Sequence, residues 1–419
     1  MTTNIVILNW NGRKFLERYL PSVLASTSGL EGVSVTVADN GSDDGSKEFL
    51  LSTFPDVEFL PLGRNYGFAE GYNRALNKLE ADCFLLLNSD VEVSGDWLSP
   101  LLEWMELHPE CGICGPKIHR MDDRDCFEYA GAAGGLIDRY GYPFCRGRVL
   151  DRLEKDSGQY DIPADVLWVS GAALMVRSSV FFSLGGFCRR FFAHMEEIDL
   201  CWRARLEGWK VTVVPRSTVY HLGGGSLPQD SPYKLFLNYR NNLLMMARCL
   251  PKTYAVAYAF NLTGKIADSD DGPDMLRNCS DFYNENDKAF RSDLADAISR
   301  LGIRKAEKVI FRRMVLDGMA ALTYLFRGKT ACFKSVLEAH RQFRRMREYA
   351  DRKKLRQYIQ SILGGERLDI AGNLLTCEPG TGNQAAGTFG LKAMWNRWTV
   401  WTLFRMKDSI FQHIRDTIV

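Results

Sequence analysis

The sequence predicts an α/β fold in which a doubly wound, mostly parallel sheet is followed by a mainly helical C-terminal region. Two observations carry this prediction: residues 1–120 of the 419-residue chain alternate short apolar runs with helical patterns, and the apolar runs are continuous. Continuous apolar strands separated by helices are typical of parallel sheets that are covered on both faces. The composition agrees, because 46% hydrophobic and 25% charged residues describe a folded globular chain and exclude a disordered, collagen-like or coiled-coil one.

Each early element follows from its own pattern. Asn4–Leu8 (NIVIL) and Cys83–Leu87 (CFLLL) are uninterrupted apolar runs with the length of buried strands. In chain order, the predicted elements are strand Asn4–Leu8, helix Arg13–Ala25, strand Val33–Ala38, helix Asp43–Phe54, strand Val57–Leu60, helix Gly71–Leu79 and strand Cys83–Leu87. Ligands of such sheets bind at the carboxyl ends of the strands, so the residues that follow each strand are candidate site residues.

The rest of the chain changes character along its length. A further strand is predicted at Lys210–Val214, and two helices at 305–326 and 331–348, where apolar residues recur at helical spacing. The glycine-rich stretch 378–390 predicts a flexible loop. We therefore expect an α/β domain over residues 1–250 and a helical region over 251–419.

Charge is distributed unevenly between these parts. The net charge of +2 combines −7 in residues 1–250 (25 basic and 32 acidic), −3 in residues 251–300, +11 in residues 301–356 (16 basic and 5 acidic) and +1 in residues 357–419. The basic segment is interpreted as a solvated helix face, as a peripheral surface for anionic lipid, or as a self-association face that could form a homodimer. Nucleic acid is not an expected partner, because no nucleic-acid-binding motif accompanies the basic residues.

The chain is expected to be cytoplasmic. Its first residues have no basic, then apolar, signal-peptide pattern, and no run of 18 apolar residues predicts a membrane span. Eleven cysteines, an odd number, fit a reducing compartment. Cys111 and Cys114 form a lone CxxC pair, which favours buried structural residues over a metal or redox site. Peripheral attachment to the inner face of the cell membrane stays open.

Polar residues follow the strands where ligands are expected. Asp39 begins the segment DNGSDDGS after the second strand, where a carboxylate can accept hydrogen bonds from a nucleobase or a ribose. Asn88-Ser89-Asp90 closes the strand CFLLL, where a carboxylate can hold a divalent cation that bridges the phosphates of a nucleotide. In each case the alternative is a turn or a helix cap.

Two later motifs also carry chemically useful groups. Glu196, Glu197 and Asp199 place three carboxylates within four residues, and burial or like charge could raise the pKa of one of them to that of a general base. The alternative is an acidic helix start paired with Arg203. His221 precedes a glycine run and is interpreted as a structural histidine or a ligand.

In combination, these motifs resemble the family-2 glycosyltransferases of the GT-A fold, and in particular the bacterial rhamnosyltransferase-like branch that builds surface polysaccharides. Eight blocks appear in the order of that family: NIVILNWNG, ADNGSDDGS, GRNYGFAEGYN, LLLNSD, VSGAALMVR, FFAHMEEIDLCWRARLEGWKV, VYHLGGGS and YRNNLL. They span residues 4–244. Each block is weakly specific, and the ordered set is highly specific.

The resemblance implies a nucleotide-diphospho-sugar as the donor substrate and a divalent cation, Mn²⁺ or Mg²⁺, as the cofactor. It implies that Asp39 contacts the base and that Asn9, Arg64 and Asn65 line the nucleotide pocket. The implied DxD position holds Asn88 and Asp90. Because asparagine supplies no charge, Asp90 would carry most of the metal binding.

The resemblance also assigns the remaining residues. His221 would complete the metal site, and Glu197 would be the catalytic base, with Glu196 as its substitute. Four residues would lie near the donor sugar or the acceptor: Trp168, Gly171, Ala172 and Asp199. One base with direct displacement implies inversion of the anomeric centre, with a hydroxyl of a glycan or of a lipid-linked acceptor as the nucleophile.

Two other functions stay open at this point. A sugar nucleotidyltransferase could use a similar sheet, but no basic, glycine-rich phosphate loop follows the first strand, where Asn9-Trp10-Asn11-Gly12 stands. A non-catalytic assembly subunit could keep the fold and bind partners through its basic segment. Intact Asp90, Glu197 and His221 argue against this second alternative.

Overall fold

The computed structural model describes residues 1–93, 95–149, 151–223, 231–267 and 286–364. Within them, thirteen strands form: β1 Thr3–Asn9, β2 Val33–Asp39, β3 Glu58–Pro61, β4 Cys83–Asn88, β5 Val91–Val93, β6 Cys111–Arg120, β7 Gly135–Ile137, β8 Pro143–Cys145, β9 Arg148–Val149, β10 Arg152–Leu153, β11 Ala164–Asp165, β12 Ala173–Arg177 and β13 Lys210–His221. The helices are α1 Arg13–Thr27, α2 Ser46–Thr53, α3 Gly67–Leu76, α4 Ser99–Leu107, α5 Ser178–Ser183, α6 Glu196–Leu206, α7 Pro232–Ala267, α8 Asn286–Phe326, α9 Thr330–Met346 and α10 Arg352–Leu363. The predicted loop at 378–390 lies outside the described residues.

A nine-stranded sheet organises the first part of the chain. Its order is β11-β13-β6-β12-β4-β1-β2-β3, and β5 pairs with β13 beside this row. Strands β1 to β4, β6 and β13 run in one direction, and β5, β11 and β12 run against them. The predicted α/β class with a mostly parallel sheet is therefore confirmed, with antiparallel strands inserted in its second half.

The sheet is buried on both faces, which explains why its strands are continuously apolar. Successive side chains of a strand point to opposite faces. In β1, Ile5 and Ile7 therefore join one core, which is covered by α1 and α4, while Val6 joins the other core, which is covered by α3, α6 and α7.

A second sheet of four short antiparallel strands, in the order β10-β9-β8-β7, lies between β6 and β11 in the sequence. Its strand β7 is bridged at Gly135 to Trp168, which lies in the segment between β11 and β12. The sequence analysis did not predict this sheet, because strands of two or three residues have no readable periodicity.

The C-terminal helices pack on the first part of the chain and share its core. The indole of Trp202 in α6 donates a hydrogen bond to Thr253 of α7 (3.1 Å), and the hydroxyl of Tyr142 donates one to Asp317 of α8 (3.2 Å). The mainly helical C-terminal region is thereby confirmed over its described residues. Residue 250, the predicted domain boundary, falls within α7, and the division at that residue stays a prediction. In the described part of the chain, no helix combines the length and the apolarity needed to cross a bilayer.

Candidate functional site

The ends of β1 and β2 bring Asn9 and Asp39 together. Parallel register pairs these two residues, and the Nδ2 group of Asn9 donates to Oδ1 of Asp39 (3.1 Å). The other carboxylate oxygen, Oδ2, accepts the backbone N–H groups of Gly41 (3.2 Å) and Ser42 (3.0 Å). Three donors therefore hold the buried Asp39 carboxylate in one orientation at the carboxyl edge of the sheet.

The loop that follows β3 is tied to the loop that follows β2. Gly41 has φ of +80°, and a Cβ atom there would lie 2.4 Å from Cα of Arg64, so only glycine permits this contact. The buried side chain of Asn40 donates to Oδ1 of Asn65 (3.2 Å) and accepts from the N–H of Tyr66 (3.0 Å). Four residues predicted for the nucleotide pocket are thus neighbours: Asn9, Asp39, Arg64 and Asn65.

The end of β4 continues the same edge. Leu8 of β1 pairs with Asn88 of β4, and the N–H of Asn88 donates to the carbonyl of Ala172 (2.9 Å). Next to Ala172, a Cβ atom on Gly171 would lie 3.5 Å from Cβ of Glu197. The structure therefore brings Asn88, Gly171, Ala172 and Glu197 into one continuous region.

Asp90, His221 and Glu128 form a buried group beside this edge. Nε2 of His221 lies 3.3 Å from Oδ1 of Asp90, and Nδ1 lies 3.5 Å from Oε1 of Glu128. Burial lowers the pKa of His221, but its contacts with the two carboxylates outweigh burial and raise the pKa to about 10. A positive charge is thus strongly favoured between Asp90 and Glu128.

These residues are candidates to hold a divalent cation together with a bound substrate. Asp90 offers an oxygen ligand, and His221 would offer a nitrogen ligand once a cation displaces the proton from its ring, with Glu128 orienting the imidazole through its other nitrogen. Among the residues that the structure describes, no group of three or more His, Cys, Asp or Glu side chains is placed to hold a metal ion. Mg²⁺ commonly binds one or two carboxylates together with substrate phosphates and water, which suits this donor set.

Glu196 and Glu197 occupy the first turn of α6. Both Oε2 atoms are buried and accept no hydrogen bond from the described residues. Burial raises the pKa of Glu197 to about 7, and burial together with the charge of Glu197 raises the pKa of Glu196 well above its usual range. A carboxylate that has a pKa near neutrality and lies beside Gly171, which has no side chain, has the properties of a general base.

Two predicted sugar contacts are wrong. Asp199 is 0% exposed, and its Oδ2 atom accepts from Arg203 (2.8 Å) and Arg248 (2.7 Å), so this carboxylate is an internal ion pair. Trp168 is 3% exposed, and its indole donates to the carbonyl of Leu136 (3.0 Å). Its ring covers Gly135, so it belongs to the core and cannot stack on a sugar.

The structure also shows a residue of this region, Glu128, that the sequence analysis missed. Glu128 was missed because it lies in an irregular segment without a recognisable motif, and only the fold brings it to His221.

Cys111 and Cys114 are buried in β6, and burial raises the pKa of both thiols, that of Cys111 to about 12. They are inert core residues, as the sequence favoured.

Comparison with known proteins agrees with this arrangement. Residues 4–160 match the family model described as glycosyl transferase family 2. The predicted resemblance is thereby confirmed.

Curated relatives point to the same branch. The chain is similar to the N-acetylglucosaminyl-diphospho-decaprenol L-rhamnosyltransferase of Mycobacterium tuberculosis, with 28% identity over 63% of this chain and 90% of that protein. It is also similar to rhamnosyltransferase WbbL of Escherichia coli K12, with 23% identity over 52% of this chain and 82% of that protein. Among solved structures, mannosyltransferase PcManGT from Pyrobaculum calidifontis, in complex with GDP-Man and Mn²⁺, has a TM-score of 0.44 and 12% identity over 81% of this chain and 86% of that one.

Proposed function

We propose that the protein is an inverting glycosyltransferase that moves a sugar from a nucleotide-diphospho-sugar to a hydroxyl of a glycan or lipid-linked acceptor. The observation that carries this proposal is the position of Glu197. Its half-buried side chain, whose carboxyl group has a pKa of about 7, packs with Cβ and Cγ beside Gly171, at the same sheet edge as Asp39 and the Asp90–His221 pair. Within family 2, such an edge suits one carboxylate base opposite a bound donor.

The donor is proposed to bind along the ends of β1, β2 and β4. Asp39, fixed by three donors, accepts hydrogen bonds from the base, and Asn9, Arg64 and Asn65 line the pocket around it. The backbone of Gly171 and Ala172 leaves room for the sugar, because neither residue carries a large side chain.

Asp90 and His221 are proposed to bind Mn²⁺ or Mg²⁺ together with the diphosphate, with Asn88 nearby. Bound there, the cation would neutralise negative charge on the departing diphosphate. Glu128 holds the imidazole in place by its 3.5 Å contact with Nδ1.

Glu197 is proposed to accept the proton of the acceptor hydroxyl while that oxygen attacks the anomeric carbon. Since the attack and the departure of the diphosphate occur on opposite faces of the sugar, the configuration inverts. Glu196 lies beside it, and burial together with the charge of Glu197 raises the pKa of Glu196 well above its usual range, so the two carboxyl groups titrate as a pair.

The acceptor class is proposed from the relatives. The mycobacterial relative is named for a diphospho-decaprenol acceptor and the relative from Escherichia coli for rhamnosyl transfer. We propose a lipid-linked glycan of bacterial surface polysaccharide synthesis as the acceptor, on the cytoplasmic side of the membrane.

A donor-binding and turnover experiment tests this function. Purified protein is screened by thermal shift with uridine, guanosine and thymidine diphosphates plus Mn²⁺, because a ligand that binds only the folded state raises its stability. The sugar nucleotide of the best base is then assayed for diphosphate release with Mn²⁺, Mg²⁺ or EDTA. Asp90→Ala and Glu197→Gln should each lower turnover by at least about 100-fold, and Glu106→Gln, at an exposed position on α4, is the matched control.

Other outcomes identify the alternatives. Near wild-type rates in both variants would contradict the assigned site. Pyrophosphate release from a sugar phosphate and a nucleoside triphosphate would instead identify a nucleotidyltransferase. Nucleotide binding without turnover on any acceptor would identify a non-catalytic subunit.

For the C-terminal region we propose attachment to an anionic membrane surface through one face of α8. Apolar side chains are exposed along this helix, among them Phe311 (69%), Met319 (60%) and Phe326 (86%). Exposed Lys308 and Arg312 flank them. Apolar side chains that are bordered by basic ones match the chemistry of an acidic lipid surface.

The described residues 311–330 present no exposed acid that would repel such a surface, because their sole acidic residue, Asp317, is fully buried beside Arg313. A membrane-bound enzyme would meet a lipid-linked acceptor without searching the solution. The same stripe could instead pair with a second copy of the chain, and the experiment separates the two.

Vesicle co-sedimentation decides between them. The protein should bind vesicles that contain phosphatidylglycerol and not pure phosphatidylcholine, and Arg312→Gln should weaken binding about fivefold. The double variant Phe311→Ser/Phe326→Ser should release the protein, whereas Leu107→Ser, at a similarly exposed site on α4, should not. Binding that ignores anionic lipid, or a dimer that only the double variant dissociates, would overturn the membrane proposal.

A further inference from the structure

The segment before α6 has an unfavourable backbone. Phe192, His194 and Met195 have φ of +63°, +71° and +74°, a left-handed region that non-glycine residues rarely adopt. Glu196 and Glu197 follow directly, so the direction in which their side chains leave the helix depends on these three residues. Such a conformation persists only where surrounding contacts impose it.

Asn241 of α7 stabilises this left-handed backbone from one side. Its Nδ2 group lies 2.8 Å from three carbonyl oxygens, those of Phe191, Ala193 and His194, and its side chain is 0% exposed. Arg240 donates from Nε to Oδ1 of Asn241 (2.9 Å), which orients the amide so that its NH₂ group faces the loop. A single amide thus gathers the carbonyls of the left-handed segment.

Helix α3 holds the same segment from the other side. The carbonyl of Phe192 accepts the N–H groups of Phe68 (2.6 Å) and Ala69 (3.2 Å). Gly67, with φ of +76°, lies against the ring of Phe192, where a Cβ atom would be only 2.5 Å away. Since Gly67 follows Arg64 and Asn65, the segment is fixed between the nucleotide pocket and α7.

We infer that Asn241 is a positioning residue for the general base: it fixes the left-handed segment and thereby aims Glu197 at the acceptor hydroxyl. This inference rests on the proposed function, because it assumes that Glu197 is the base. Asn241 contacts neither Glu197 nor the substrate-facing edge, and its contribution passes through the backbone of residues 191–194.

The chain offers a matched control for a purely structural role. Asn242, the next residue of α7, is also buried (1% exposed), and its Nδ2 group donates to one carbonyl, that of Gly141 (2.7 Å), away from α6. Asn241→Ala and Asn242→Ala remove the same atoms from neighbouring buried sites. A difference between them therefore reports on the segment that precedes the base.

The experiment measures kcat, donor KM, nucleotide affinity, unfolding temperature and the pH dependence of kcat for both variants. Asn241→Ala should lower kcat about 100-fold, because a small displacement of a reacting group has that effect, with nucleotide affinity unchanged. Its midpoint in the pH profile should also move, because Glu197 changes its position relative to Glu196 and Cys201 on α6 and Cys145 on β8. Asn242→Ala should lower the unfolding temperature comparably and keep the wild-type kcat and midpoint.

Two results would overturn the inference. In one, the two variants lose kcat equally, and in the other, Asn241→Ala loses nucleotide affinity in step with kcat. If Asn241→Ala does not fold, Asn241→Ser is measured in its place. Serine retains one donor, so kcat should fall by less than about 100-fold while KM stays unchanged. An inactive wild-type enzyme would instead count against the proposed function, so the two failures are distinguishable.

Discussion

The proposed nucleotide side and the proposed base side of the site satisfy their carboxylates to different degrees. Asp39 accepts three hydrogen bonds at the end of β2, whereas the buried Oε2 atoms of Glu196 and Glu197 accept none from the described residues. A satisfied carboxylate keeps its orientation and is suited to recognition. A carboxylate with one buried oxygen that lacks a donor is less favourable in its charged form and is suited to taking up a proton.

The largest effect is expected from a substitution on the base side alone. Glu197→Gln keeps the size of the side chain and removes its basicity, so kcat should fall about 10²–10⁴-fold. Nucleotide affinity, measured by calorimetry, should stay at the wild-type value because Asp39 and its donors are untouched. Loss of both properties together would mean that the two sides are not separable.

The next largest effect is expected from a substitution on the nucleotide side. Asp39→Ala removes the acceptor shared by Asn9 and two backbone N–H groups, and it removes the proposed contact with the base. Nucleotide affinity should fall about 10- to 100-fold, as expected for one or two lost charge-assisted hydrogen bonds. Donor KM should rise accordingly, and kcat at saturating donor should fall much less than in Glu197→Gln.

The pH profile sharpens the comparison. Because the pKa of Glu197 is raised to about 7 and its base form is the active one, kcat should rise about tenfold between pH 6 and pH 8. Nucleotide binding, measured over the same range without the acceptor, should not follow this curve. A profile that is flat through neutral pH would argue against Glu197 as the base.

The smallest effect concerns stability. Glu197 has a higher pKa in the folded than in the unfolded protein, so its ionisation disfavours the folded state as pH rises from the usual glutamate range to above 7. Glu197→Gln should therefore increase the free energy of unfolding at pH 8 by about 1–3 kcal/mol. The gain should vanish at pH 4, where both states hold the proton, and denaturant melts at the two pH values measure it.

The site residues that could be predicted from the sequence are those that directly follow a strand. Asn9, Asp39 and Asn88 each follow a continuous apolar strand, and parallel pairing aligns their ends without any further information. The start of α6 could be predicted as well, since three carboxylates in its first turn favour a helix N-terminus.

Other features depend on contacts between distant residues. The partner of Asp199 is Arg248, 49 positions later, and nothing near Asp199 distinguishes an internal ion pair from a sugar contact. Trp168 covers Gly135, which follows from the irregular approach of two segments rather than from any periodicity. Glu128 reaches His221 only because β6 and β13 are neighbours in the sheet.

Helix α7 also limits how this protein can be recombined. Along one continuous helix, Asn241 binds the segment before the base, Arg248 binds Asp199, and Thr253 accepts the indole of Trp202. A chimera that is joined at residue 250 would combine two unrelated halves of this helix and lose at least one of these partners. Exchange of the C-terminal region between related chains should therefore use a junction ahead of Pro232, so that α6 is matched to the whole of the helix it contacts.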